Sequence, residues 1–226
     1  MYDGFSGGNK GGTKMKLSHF MNKNFPNLEL RPPLFYSWDI GIRFELGVEW
    51  KREYDYPDNP YILGCYKRAI TLFEALHSPT EKLFVVMDVN DFDKGKKIRH
   101  QLKNFSRYVE KSLLFRLKHQ AMPYIFPEDD EEGTYKTHRF SLNCKTSDFK
   151  YILLLKAICN QDLGLKPSIF HRVHFININK KTIFHVYDDR GCDLLATSPE
   201  TIRDIYEKYN DWILDYDRNE IEKVFK

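Results

Sequence analysis

Residues 182–217, TIFHVYDDRGCDLLATSPETIRDIYEKYNDWILDYD, decide how this chain is read. Ile183 to Asp188 is an extended apolar run, and Asp189-Arg190-Gly191 turns it into a second one, Cys192 to Ala196. Aspartate carboxylates accept nearby backbone N–H groups, and Gly191 is expected to supply the positive φ of a tight hairpin. Ser198-Pro199 then opens a helix with proline in its first turn. Asp217, with Glu220 three residues on, has the form of a capping box for a terminal helix. Between those helices, Tyr209 to Tyr216 mixes aromatics with carboxylates.

Upstream, Val173 to Ile178 reads as a strand joined to the hairpin by Asn179-Lys180-Lys181, so three strands follow one another. Thr146 or Ser147 caps a helix from Asp148 to Leu163, with Tyr151, Leu154, Leu155 and Ile158 on one face. Tyr135 to Asn143 roughly alternates, and Lys82 to Val89 is apolar almost throughout, as in a central strand. Asn59-Pro60 starts a helix that runs to about Leu76, and Ile40 to Gly47 alternates with period two. Met15 to Phe25 has the spacing of a short amphipathic helix that stops before Pro26. A helix is also expected from about Ser106 to His119. These runs predict an α+β fold, a largely antiparallel sheet with helices packed on one face. Residues 1–12, rich in glycine, are expected to be a disordered tail, and residues 13–226 a single domain.

With 226 residues, 42% hydrophobic and 15% aromatic, the chain can bury a sizeable core. It lacks the run of roughly eighteen apolar residues that a membrane span needs, and its N-terminus has no apolar run of a secretory signal. A cytoplasmic protein is expected, with no membrane partner and with Cys65, Cys144, Cys159 and Cys192 as reduced structural thiols. The net charge of +3 is unevenly spread. Lys94 to His119 holds nine Lys or Arg against Glu110 alone, Glu128 to Glu132 are consecutive acids, and Asp188 to Lys226 holds eleven acids against six bases. Such a dipole steers charged partners.

Two stretches, His185 to Asp193 (HVYDDRGCD) and Tyr209 to Tyr216 (YNDWILDY), resemble the C-terminal core of a bacterial family common in Gram-positive genomes and described as a domain of unknown function. Arg31-Pro32-Pro33, Trp38 to Gly47 and Leu76 to Thr80 carry weaker similarity, so the resemblance runs from about Arg31 onward. It implies kinship and supplies no catalytic residue.

The candidate functional residues are weighed on their chemistry. Asp188, Asp189 and Arg190 form a turn, or join Asp193, Asp215 and Asp217 in an acid cluster able to hold Mg²⁺ for phosphoryl chemistry. Tyr209, Asp211, Trp212, Asp215 and Tyr216 combine interface anchors with charges suited to a basic partner. His185 shares a strand face with Ile183 and Tyr187 and reads as structural; a general base there would need an orienting acid such as Glu45. His171 and His174 lack further ligands nearby in sequence to complete a zinc site. The expectation is a protein without catalytic residues, metal or cofactor, binding a toxin-like protein partner through Asp188, Asp189, Arg190, Tyr209, Asp211, Trp212, Asp215 and Tyr216, as an immunity or antitoxin protein does. The alternative is nucleic-acid binding through the 94–119 run, or cleavage at the acid cluster.

Overall fold

Alternation in the first strand sets the architecture. In β1 (Gly41–Glu45), Ile42 and Phe44, followed by Leu46, are fully buried on one side, which sends Arg43 to the other. The computed structural model describes residues 15–47, 55, 56, 58–92, 103 and 105–226. The tail expected at residues 1–12 and the part of the basic run from Lys94 to Leu102 lie outside these residues.

The remaining strands are β2 (Lys82–Asp91), β3 (Lys118–Pro123), β4 (Lys136–Lys145), β5 (Arg172–Asn177), β6 (Thr182–Val186) and β7 (Gly191–Ala196). They form one seven-stranded sheet in the order β1-β7-β6-β5-β2-β4-β3, every neighbouring pair antiparallel. The fold is α+β. β5, β6 and β7 make the consecutive meander expected, and β2 lies inside the sheet, which explains its near-continuous apolar run.

Among the described residues, the helices that cover the face to which Ile42 and Phe44 point include α2 (Pro60–Leu76), α3 (Tyr151–Cys159), α4 (Arg203–Lys208) and α5 (Arg218–Phe225). The Asn59 side chain accepts the Tyr61 N–H at 2.9 Å and starts α2 as its sequence predicts. At the centre of this layer, the Phe73 ring packs edge-on to Phe175 at 5.1 Å and stacks on Tyr151 at 4.8 Å. Burying each such ring contributes about 1.5–3 kcal/mol. Among the described residues, the opposite face carries α1 (Leu17–Asn24) and the chain that follows it. Phe20, Phe25 and Leu34 cover Phe84, Val86, Ile176, Ile183 and Leu195 there.

Three local expectations give way to tertiary contacts. The helix expected over Ser106–His119 is a 3-10 turn at Lys111–Arg116 followed by β3. Its backbone is used elsewhere: Lys150 N–H donates to the Tyr108 carbonyl at 2.7 Å, Val109 bridges Phe149, and the edge of β4 recruits residues 118–123. Leu113 packs against the core and Phe115 remains 84% exposed. The expected 148–163 helix is shortened to α3, preceded by a 3-10 turn at Thr146–Asp148. No Asp217 side-chain cap opens α5, because that carboxylate is bound to Tyr36 and Arg43 instead.

Candidate functional site

The residues singled out by sequence collect around β1. Its inner edge pairs with β7, and its outer edge is lined by the chain at Ile213 and Leu214: Phe44 bridges Ile213, and the Leu214 N–H donates to the Arg43 carbonyl at 2.9 Å. At the end of the strand, the Leu46 N–H donates to the Arg190 carbonyl, also at 2.9 Å. The hairpin turn and the Tyr209–Tyr216 segment thus frame one strand edge.

Arg43 is the hub. Its Nε lies 3.2 Å from Asp193 Oδ1, and its Nη1 lies 3.2 Å from Asp217 Oδ2 and 3.0 Å from the Tyr36 hydroxyl. The Tyr36 hydroxyl donates to Asp217 Oδ1 at 2.8 Å. The guanidinium also sits over the rings of Tyr36 at 5.0 Å and Tyr187 at 5.6 Å. Burial opposes the Arg43 charge, but Asp193 and its other neighbours hold its pKa above the ordinary value. One arginine therefore ties the N-terminal segment, β1, β7 and the C-terminal segment together. No sequence motif announces it. The only signal was a charged residue at a buried-strand position of known alternation.

The five aspartates do not gather at one point; only Asp193 and Asp217 meet, on Arg43. Asp188 accepts the Arg190 N–H at 2.7 Å and the Arg190 Nε at 2.8 Å, closing the turn on itself. Asp189 accepts the Tyr61 hydroxyl at 2.6 Å and pins the turn to the start of α2. Asp193 and Asp217 are held by Arg43, and the outward-facing Asp215 pairs with Arg218 at 3.0 Å. Among the described residues no group of three or more His, Cys, Asp or Glu side chains is arranged to hold a metal ion.

Gly191 is a correction of the turn reading. Its φ lies outside the left-handed region. A Cβ there would lie 2.0 Å from the Tyr187 hydroxyl oxygen and 2.7 Å from the Phe44 carbonyl oxygen. Close approach of β1 to β7 demands the glycine.

The Tyr209–Tyr216 stretch divides by direction. Tyr209 is buried and stacks on Trp212 at 4.9 Å, and the Arg68 guanidinium lies 5.2 Å above Trp212 while donating to the Glu45 carbonyl at 2.9 Å. Asp211 and Asp215 face outward. Tyr216 is 85% exposed and Tyr36 56% exposed, and the Tyr36 hydroxyl bonds Asp217, the residue that follows Tyr216.

Histidines and cysteines near this framework are buried. His185 stacks on His174 at 4.3 Å, and its Nδ1 is 2.9 Å from the Val173 carbonyl oxygen. Burial pushes its pKa down to about 4 and that of His174 well below its usual value. The register partner of His185 is Asp193, already engaged by Arg43, whereas Glu45 is exposed and opposite Gly191. All four cysteines are buried and free. Burial pushes Cys65 and Cys144 up to about 12 and Cys159 and Cys192 well above the ordinary range, so thiolates are suppressed.

The described basic side chains of the 94–119 run include two at the opposite end of the sheet. Arg116 and Lys118 belong to the β3 edge, and β1 is the opposite edge. Six strand spacings of about 4.8 Å separate the two edges by roughly 29 Å along the sheet.

Residues 17–217 match the model of a family described as a domain of unknown function, DUF3885. The chain is also 32% identical over 211 residues to "Uncharacterized protein YnaE" of Bacillus subtilis (strain 168), a match spanning 89% of this chain and 99% of that protein. No solved structure matches it significantly. No described helix is long and apolar enough to cross a membrane. A family model spanning most of the chain and a full-length bacterial relative agree, and the chain belongs to the DUF3885 family.

Proposed function

We propose that this protein acts by binding another protein through the surface around the β1 edge, in the manner of an immunity or antitoxin protein that masks a basic toxin-like partner. The observation that carries the reading is the exposed rings of Tyr216 and Tyr36 together with the outward carboxylates of Asp211 and Asp215 in the same C-terminal segment, on backbone fixed by the Arg43 network. Tyrosines on a preorganised backbone lose little conformational freedom on binding, and flanking acids steer a cationic partner. Tyr209, Asp188 and Asp189 are buried and Trp212 half-buried, so on this reading they hold the backbone of the surface, while Arg190 is exposed to contact the partner. Nucleic-acid binding draws less support, because the acids at the β1 edge and the cations of β3 stand at opposite ends of the sheet.

The test is affinity capture from a DUF3885-encoding bacterium, followed by binding measurements with the recovered partner. Tyr216→Ala and Tyr36→Phe/Tyr216→Ala should weaken binding by about 30-fold or more, the effect of losing an anchor worth roughly 2 kcal/mol. Asp211→Asn/Asp215→Asn should mainly slow association and flatten its salt dependence. Co-expression should relieve any growth arrest the partner causes. Folded variants that bind like the parent would remove this surface from consideration.

A further inference from the structure

The layer over the second sheet face stops short. Phe20, Phe25 and Leu34 cover strands from β7 to β2, but beyond β2 a cavity of about 980 Å³ opens between α1 and the chain at residues 122–125. Its apolar lining is Met21, Leu28 and Leu30 on one side and Met122 and Ile125 on the other, with Ser18, Asn22 and Tyr124 among the polar residues between them. Its floor is the outward face of β3 and β4, where register places Lys118 beside Ser141 and Gln120 beside Arg139. Five lining side chains are cationic (Lys16, Arg31, Arg116, Lys118 and Arg139) and one, Glu29, is anionic, so the cavity carries an excess of positive charge.

Some of that charge is already matched. Asp88 holds Arg139 through its Nε at 2.7 Å and its Nη2 at 2.6 Å, and Arg31 pairs with Glu128. Lys16, Arg116 and Lys118 have no carboxylate partner among the described residues. An apolar cleft of several hundred cubic ångströms with a few convergent charges is the form of a small-molecule site.

We propose that this cavity binds a free long-chain carboxylate, its head on Arg116 and Lys118 and its acyl chain between the Leu, Met and Ile walls. Charge complementarity selects an anionic head, and flexible aliphatic and thioether walls suit an alkyl chain. The site lies at the far edge of the sheet from β1 and stands independently of the protein-binding proposal.

Calorimetric titration of the full chain, freed of co-purified lipid, with octanoate, dodecanoate and hexadecanoate tests this. One-to-one binding should tighten by about fourfold per added CH₂ until the cleft is filled. Hexadecanol, lacking the charge, should bind about tenfold weaker or worse. Arg116→Glu/Lys118→Glu should abolish binding of the acids, and Ser141→Phe should fill the cleft. Should these variants fail to fold, a diazirine-bearing hexadecanoate on the parent protein should label Met21, Leu30 or Met122. No binding of any acid, equal binding of hexadecanol, folded variants that bind like the parent, or labelling confined to other residues would each overturn the proposal. Binding only to an acidic peptide or only to phosphatidylglycerol vesicles would overturn it too.

Discussion

Replacing Arg43 by Met removes the charge that two carboxylates share while keeping a long apolar stem. Asp193 and Asp217 each lie 3.2 Å from the guanidinium and are nearly inaccessible to water. At an effective dielectric constant near 20, each pair is worth about 5 kcal/mol of gross attraction. Desolvation offsets much of that, and breaking such a pair by deleting one partner costs about 3–5 kcal/mol, because buried charge is left uncompensated. For a domain of this size that corresponds to a fall of roughly 6–20 °C in melting temperature. Burial already holds the Asp193 carboxyl above its ordinary pKa, with the Arg43 charge opposing that shift, so removing Arg43 would raise it further. The added stability from its protonation is present at low pH and lost as pH rises, so the deficit relative to the parent should narrow between pH 7 and pH 5. Urea unfolding of parent, Arg43→Met and Arg43→Lys at both pH values measures this, with Lys intermediate because it lacks the planar fork. A Met variant within about 1 kcal/mol of the parent at pH 7, or a deficit that widens on acidification, would refute the hub assignment.

Further expectations follow from the same geometry. Gly191→Ala should cost about 1–3 kcal/mol through overpacking against the Phe44 carbonyl oxygen and the Tyr187 hydroxyl, and an unchanged urea midpoint would show that β1 and β7 separate easily. His77 and His185 are buried with pKa values pushed down to about 4. Because these values lie below that of an unfolded histidine, the stability they protect is present above pH 6.5 and is lost as pH falls from there through 4. Each group accounts for on the order of 3 kcal/mol over that window, and His77→Gln should flatten the pH dependence of urea unfolding while leaving the remaining His185 contribution. Asp189→Asn keeps the acceptor for the Tyr61 hydroxyl and should be mild, whereas Tyr61→Phe leaves a buried carboxylate without that donor and should cost about 1–3 kcal/mol by thermal unfolding.

Local patterns made much of the fold legible. The alternation of Ile40 to Gly47, the Asn59-Pro60 cap and the apolar run of β2 each report a local rule, since period, cap and burial are written in neighbouring residues. The hairpin around Asp188 to Gly191 was visible for the same reason, because turn chemistry is short range.

The misreadings share the opposite cause. Residues 106–119 carry helical spacing, but Tyr108 and Val109 give their backbone to the segment at Phe149 and Lys150, about forty residues away, and tertiary pairing overrides so weak a local preference. The same is true of Asp217: a carboxylate three residues before Glu220 suits a cap, yet Arg43 and Tyr36 offer it a charged partner and a hydroxyl that no local count of residues reveals. Sequence alone determined most of the elements, though not β3, and the acidic, aromatic character of the C-terminal segment. Only the tertiary structure decided that its aspartates are divided among Arg190, Tyr61, Arg43 and Arg218, and that Tyr216 faces outward while Trp212 packs against the fold. Charge in low dielectric must find its partner in space, and strand order, set by long-range pairing, chooses which partner is near.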